Sequence, residues 1–533
     1  MIAGYLVAMT SDESEHYRRE QEEFVSNHGG SSSREVLLAI LPNVCSIFLT
    51  ATTLALVGKR VDRNVRTLIE FCLSIVPCVL CCTILSESVV HICFAMITIS
   101  IVNVVIFIAQ NRIPSKTFVR SNVGRRPFVT NFRALTNLIS VICILAVDFR
   151  IFPRRFAKTE IYGYSLMDTG VGLFVVANAL VAPESRNIEG PRGRSVIQKM
   201  TSNSKTCVKN SAPLLILGFG RFLAIEYSSY QTHVTEYGVH WNFFVTLAFV
   251  KMLTSTISSI ANLRYSLLLG VSIISMHEYA LSAGGLKYWV LGDSPRNDFV
   301  SANREGLSSV PGYVGIYLIA VAIGRLIHST YKSHEKCVKL SNNERYFVNF
   351  RVFGRQVEFE YTDSMILCVK LSLIAVQACA ATLFCDHYFR VSRRLANAGY
   401  CFWIVTLSCT LLTLALLVEI KTDIIASIGG YHPHNTGKKD EDGGKKKKRV
   451  GFRLDDLDNE ESIKIRTLEI FEAVNYNGLT FFLLANLFTG VVNMSIKTLY
   501  VDTNEALLII FVYIASCILL IIILYRFKIQ LKL

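Results

Sequence analysis

Residues 506–526 read ALLIIFVYIASCILLIIILYR, an apolar run whose one charge, Arg526, closes it. About 20 residues of helix span the hydrocarbon of a bilayer, and a spanning segment must satisfy its backbone hydrogen bonds internally, so this run predicts a transmembrane helix. Working back toward the amino terminus, similar runs recur near 478–494, 399–419, 364–384, 312–329, 265–283, 242–262, 213–230, 165–182, 134–149, 89–110, 68–86 and 36–57. The expected fold is all-α: a polytopic integral membrane protein with about 13 transmembrane helices. Composition agrees. Of 533 residues, 51% are hydrophobic and only 18% charged, and the mean hydropathy is positive, which leaves too little polar surface for a large soluble domain.

The net charge of +14 invites a nucleic-acid reading, but the basic residues alternate between loops. Lys59, Arg60, Arg63 and Arg66 follow the first span; Arg112, Lys116, Arg120, Arg125, Arg126 and Arg133 the third; Arg186, Arg192, Arg194, Lys199, Lys205 and Lys209 the fifth. The loops after the ninth and eleventh spans are also basic, whereas that between the sixth and seventh has no Lys or Arg. By the positive-inside rule the odd loops are cytosolic, the amino terminus lumenal and the carboxyl terminus cytosolic. Four parts follow: a lumenal segment over 1–35, an eleven-helix core over 36–419, a cytosolic loop over 420–477, and the last two helices with a cytosolic tail over 478–533.

Within that loop, YHPHNTGKKDEDGGKKKKRVG (431–451) has no apolar periodicity and is expected to be a disordered linker, with contact to anionic lipid heads as the alternative. The opening MIAGYLVAM lacks a basic start and leads into the charged run 12–23, so it is not expected to be a cleaved signal. Of fifteen cysteines most lie in apolar segments, where a thiol packs as a small hydrophobe. None has zinc-site spacing, so no metal and no disulfide framework are expected; the loop alternation of the basic residues accounts for the charge, so no nucleic-acid partner is expected.

Ionisable groups at membrane depth carry the functional signal, because each is costly unless paired or facing a polar cavity. Asp148 ends a span in ILAVDF, and RIFPRRFAK follows, where Pro153 holds Phe152 extended and stops the helix. The chain must turn there, bringing Arg154, Arg155 and Lys158 back toward Asp148, either as a structural ion pair or as chemistry. Asp168 in SLMDTGVG is open in the same way. Arg221 and Glu226 are five residues apart, roughly 140° around a helix, and should find partners elsewhere. THVTEYGVHWNFF places His233, Glu236, His240, Trp241 and Asn242 at a boundary, with Trp241 an interfacial anchor and His240 either a base or a hydrogen-bonded boundary residue. Lys251, His277, Glu278 and Lys370 read most simply as satisfied structural groups. SANREGLSSVPGY supplies Asn303, Arg304 and Glu305; NYNGLTFFLLANLFTGVVNMSIKT supplies Asn475, Asn477, Asn486 and Asn493. Amides on a long apolar helix commonly bind neighbouring helices.

AVDFRIFPRRFAKTEIYGYSLMDTGVG resembles the inositol acyltransferases of glycosylphosphatidylinositol (GPI) biosynthesis, the phosphatidylinositol-glycan class W family. The likeness continues in order at FVSN (24–27), LGFGRFLAIEYSSYQTHVTEYGVHWNFF (217–244), SANREGLSSVPGY (301–313) and NYNGLTFFLLANLFTGVVNMSIKT (475–498), with the leader before Phe24 and the Lys-rich insert as departures. The resemblance implies a multi-spanning enzyme of the endoplasmic reticulum membrane. Such an enzyme moves a long acyl chain, commonly palmitoyl, from acyl-coenzyme A to the inositol 2-hydroxyl of glucosaminyl-phosphatidylinositol. That reaction needs a base, a cation for the thioester oxyanion and an apolar slot. Asp148 and Lys158 are the expected base and cation, with Lys158 or His240 as the alternative proton acceptor. Arg154, Arg155, Asp168, Arg221, Glu226, His240, Asn242, Asn303, Arg304, Glu305, Asn475 and Asn477 are expected to bind substrate. Direct attack without an acyl-enzyme is expected, with no bound cofactor, acyl-coenzyme A as co-substrate, membrane lipid around the chain and no obligate protein partner. Two rivals remain: a secondary transporter or lipid flippase, in which intramembrane charges form an ion pathway, and the acyltransferases built on a membrane-embedded histidine, for which His240 is the nearest candidate. The absence of a visible internal repeat weighs against the transporter.

Overall fold

Long runs of Leu, Ile, Val and Phe, punctuated by Pro, Gly and charged clusters, fold as helices joined at two opposite faces. The computed structural model describes residues 11–26, 28–57, 61–110, 116–119, 126–186, 207–209, 211–222, 234–340, 347–352, 355–360, 363–428 and 468–531. In chain order the longer helices among the described residues are α1 (Ser11–Val25), α2 (Ser33–Val57), α3 (Arg63–Cys82), α4 (Val89–Gln110), α5 (Pro127–Ala146), α6 (Thr169–Val181), α7 (211–222), α8 (Phe243–Ile260), α9 (Ser266–Ser282), α10 (Arg304–Leu340), α11 (Asp363–Phe389), α12 (Ala398–Ile428), α13 (Glu469–Tyr476), α14 (Gly478–Ser495) and α15 (Thr503–Arg526). Ten of them are long and apolar enough to cross a membrane. The shorter α6, α7 and α9 occupy the remaining three expected positions, so the arrangement is compatible with about 13 crossings. The Lys-rich segment 431–451, His233 and Glu226 lie outside the described residues.

The loop ends sort by parity. Arg63 donates to Glu469 at 2.7 Å, Arg526 donates to the same carboxylate at 3.0 Å, and Asn477 donates to the Ile529 carbonyl at 3.0 Å, joining loop ends that the charge pattern assigns to one face. A small departure from the all-helical expectation lies among those same loops. Strands β1 (Lys116–Val119), β2 (Phe347–Val352) and β3 (Arg355–Glu360) form a sheet in the order β1-β3-β2, β3 running parallel to β1 and antiparallel to β2. On the opposite face meet the ends of α5 and α14, the starts of α6, α8 and α10, and the turn between α11 and α12.

In lipid, helix association rests on close packing rather than on exclusion of water. α5 lies at the centre: Phe128, Phe132, Leu138 and Ile142 are fully buried, and the helix packs against α6, α12, α13, α14 and α15. Gly270 of α9 and Gly315 of α10 meet backbone to backbone, where a Cβ on Gly270 would lie 2.9 Å from the Gly315 carbonyl. By contrast α4 turns Val90, Phe94, Ile101 and Val105 outward, as a lipid-facing helix does.

Candidate active site

α5 stops at Ala146, and the chain turns through Pro153 into a short 3₁₀ helix, Arg154–Phe156. A helix end leaves carbonyls without intrahelical donors. Arg154 supplies them: Nη2 donates to the carbonyls of Val147 (2.9 Å) and Phe149 (3.0 Å), and Nε to that of Phe152 (3.1 Å). Its guanidinium also lies over the Phe24 ring of α1, 4.0 Å from the centroid. Asp148 sits beside this cap, buried, and Asn493 Nδ2 at the end of α14 donates to its Oδ2 at 2.8 Å. Burial pushes the Asp148 carboxyl up to about 6, against the opposing pull of Asn493, Arg154 and Lys158. Its Oδ1 accepts no hydrogen bond from the described residues.

Lys158 lies near enough to act on Asp148, but its ammonium pairs with Glu236, Nζ to Oε1 2.5 Å. Glu236 belongs to the single helical turn Val234–Tyr237, brought in by the next residue, Gly238. Gly238 has φ of +106° and lies so close to Asn303 that a Cβ would stand 2.5 Å from the Asn303 Cα, which requires glycine on both counts. Burial alone would raise the Glu236 carboxyl, yet Lys158, with Arg393 and Arg221, holds it down at about 2.

Arg393 joins this group to a second pair. Its Nε donates to Asp168 Oδ1 at 2.8 Å, while the Thr159 hydroxyl donates to Asp168 Oδ2 at 2.7 Å; both ionic side chains are buried. Burial alone would lower the Arg393 guanidinium, but Asp168 and Glu236 hold it above its ordinary value. Tyr400 donates its hydroxyl to the Asp168 carbonyl at 2.9 Å. Next along the chain, Arg394 reaches Glu305 at 3.2 Å, and Arg296 reaches the same carboxylate at 2.5 Å. The turn carrying both arginines is strained, with φ of +58° at Arg390 and +43° at Ala396. His277 holds it by a 3.0 Å contact with the Leu395 carbonyl, and Glu278 by accepting from the Ala398 amide at 2.8 Å.

The expected site residues thus divide. Asp148, Arg154, Lys158 and Asp168 come together, and Arg221 acts on Glu236 from the end of α7. Arg304 and Glu305 form the adjoining cluster, Arg304 donating to the carbonyls of Ser294 (3.0 Å) and Gly292. Arg155 departs from the expected turn toward Asp148 and pairs with Glu87 at 2.6 Å. Asn242 caps α8 and donates to the Gly218 carbonyl at 2.8 Å. Asn303 accepts from the His240 amide at 2.8 Å, while the exposed His240 ring lies against Phe222 and Phe299, aromatic neighbours rather than Asp148. Asn475 and Asn477 lie at the far face, where Asn477 ties down the carboxyl-terminal tail. The amide that reaches Asp148 is Asn493, near the opposite end of α14, the helix that Asn477 precedes. Glu236, Arg393, Thr159 and Asn493 are the contributors that sequence reasoning did not assign to the site. The paired arginines of VSRRLANAGY, between two apolar spans, were the available signal for Arg393.

A polytopic helical membrane protein with a buried carboxylate and a partly exposed ammonium on one turn at its boundary is the class that fold and site define. The chain belongs to the GWT1 family, whose profile matches residues 17–524. It is 32% identical to the bovine glucosaminyl-phosphatidylinositol-acyltransferase PIGW, over 95% of this chain and 97% of the relative. It is 28% identical to the Dictyostelium discoideum phosphatidylinositol-glycan biosynthesis class W protein, over 96% and 98%. To the GPI-anchored wall transfer protein 1 of Emericella nidulans it is 31% identical, over 94% and 95%.

Proposed function

We propose that this chain is an acyltransferase of GPI-anchor biosynthesis in the endoplasmic reticulum membrane, moving a long, palmitoyl-like acyl group from acyl-coenzyme A to the inositol 2-hydroxyl of glucosaminyl-phosphatidylinositol. The observation that carries the reading is the turn 147–158, which presents a buried carboxyl and an ammonium together at the end of an apolar helix. Family membership and the printed activity of the bovine relative support the same reaction.

Asp148 Oδ1 takes the proton of the inositol hydroxyl as its oxygen attacks the thioester carbonyl carbon. With its pKa about 6, the group is mostly ionised near neutrality yet more basic than an ordinary carboxylate. Lys158 donates to the oxyanion of the tetrahedral intermediate. Collapse breaks the carbon–sulfur bond, and the departing coenzyme A thiolate takes the proton from Asp148, leaving the inositol ester and a free thiol. At Asp148 burial outweighs the combined pull of Asn493, Arg154 and Lys158, while Lys158 itself is held by Glu236. In this reading the cluster faces the lumen, the amino terminus is lumenal and the carboxyl terminus cytosolic, and no bound cofactor takes part. Purified protein given labelled palmitoyl-coenzyme A and glucosaminyl-phosphatidylinositol should form acylated lipid with release of one thiol per ester. Transport of the lipid across sealed vesicles without consumption of acyl-coenzyme A would refute it.

A further inference from the structure

We infer that Glu236 is the specificity-determining residue that recognises the free ammonium of the glucosamine on the acceptor lipid, a role that rests on the acyltransferase reading. Such an acceptor carries its amine on the sugar joined directly to inositol, so the amine lies within one ring's breadth of the reacting hydroxyl. A matching site must offer a carboxylate beside the catalytic turn, ionised, reachable and with an oxygen to spare.

Glu236 meets these conditions and is the one carboxylate among the described residues of this face that pairs with Lys158. Asp168 and Glu305 are fully buried and saturated, the first by Arg393 and Thr159, the second by Arg296 and Arg394. Asp148 is committed to the reacting hydroxyl. Glu35 and Glu87 belong to Arg155. Glu160 lies 3.9 Å from Arg394, in the adjoining cluster. Glu236 touches Lys158 itself, and its side chain keeps 24% of its surface exposed. Its Oε1 is taken by Lys158, while Oε2 accepts no hydrogen bond from the described residues. An acceptor ammonium at Oε2 would place the sugar against Lys158 and turn the inositol toward Asp148. An N-acetylated sugar has no charge to offer and adds a bulky acyl group at that oxygen.

The test compares two acceptors, glucosaminyl-phosphatidylinositol and its N-acetylglucosaminyl counterpart, with purified full-length protein and palmitoyl-coenzyme A. The unaltered protein should prefer the free amine in kcat/KM. Glu236→Gln, which keeps the shape and a hydrogen bond to Lys158, should reduce that preference at least about tenfold, the scale of a lost charge-assisted hydrogen bond. Glu236→Asp should retain most of the preference at a lower rate. A Glu236→Gln protein that loses activity equally on both acceptors overturns the inference, since Glu236 then serves Lys158 alone. So does an unaltered protein without preference. Lipid binding measured without acyl-coenzyme A separates this from the reaction itself. Weaker binding of only the free-amine lipid by Glu236→Gln supports the inference even if no transfer is seen, whereas equal binding of the two lipids by the unaltered protein overturns it.

Discussion

Replacing Asn493 with leucine should move the acid limb of the pH–rate profile without removing any group that reacts. Asn493 Nδ2 lies 2.8 Å from Asp148 Oδ2 and favours the ionised carboxyl, opposing the burial that raises it. The buried carboxyl of the unaltered protein stands at about 6, so about nine-tenths is ionised at pH 7 and kcat/KM should fall about tenfold per unit well below pH 6. A hydrogen bond to a charged group contributes about 1.5–3 kcal/mol, and one pKa unit corresponds to about 1.4 kcal/mol. In Asn493→Leu the limb should therefore rise by about one to two units. At pH 7 about half to a tenth of the carboxyl remains ionised, which predicts a loss of about two- to tenfold that vanishes by about pH 9. The sign is fixed: losing a donor to the carboxylate raises the pKa, so the defect must be worst in acid. The assay is initial-rate acyl transfer from pH 5 to 9 in one detergent, with melting followed in parallel. An acid limb at the same pH as in the unaltered protein, in a variant that melts normally, would refute Asp148 as the group that titrates.

Asp148→Asn and Lys158→Ala should each lower acyl transfer by at least about 100-fold, and the double variant should be little worse than either, which steady-state rates with confirmed membrane insertion will check. Lys158→Arg should also be poor, because a planar guanidinium does not replace a compact ammonium beside a tetrahedral intermediate. Arg393→Met leaves the buried Asp168 without its charge partner and should cost about 3–5 kcal/mol, read as a large drop in melting temperature; an unchanged melt would mean that the pair does not hold the turn. Gly312→Ala puts a Cβ into the Ala396 carbonyl, so it should displace the strained turn beside Arg393 and lower both activity and melting temperature. A tag within 438–449 should be reachable from the cytosolic side of sealed vesicles, and protection of that tag would reverse the orientation proposed above.

What the sequence made legible follows the range of the forces involved. Spans such as 506–526 were visible because each must satisfy its own backbone and bury its own apolar surface, so the information is local. The helix stop at Asp148 was visible for the same reason: Pro153 acts on its neighbours. The partners of the site residues were not, since Arg393 meets Asp168 across 225 residues and no periodicity links the two. Arg155 failed for a geometric reason. Successive side chains on a 3₁₀ turn stand about 120° apart, so Arg154 and Arg155, adjacent in sequence, point to different partners, the α5 carbonyls and Glu87. β3 carries the alternating pattern RQVEFE, but a short strand in a basic loop is outweighed by the hydropathy of the spans around it. Asn493 is the most instructive miss. The motif NYNGLTFFLLANLFTGVVNMSIKT was recognised, yet a helix that crosses the membrane carries its two ends to opposite faces. Asn475 and Asn477 therefore had to lie away from Asp148 and Asn493 had to lie beside it, a consequence of the Asp148 position and the crossing count that needs no coordinates to draw.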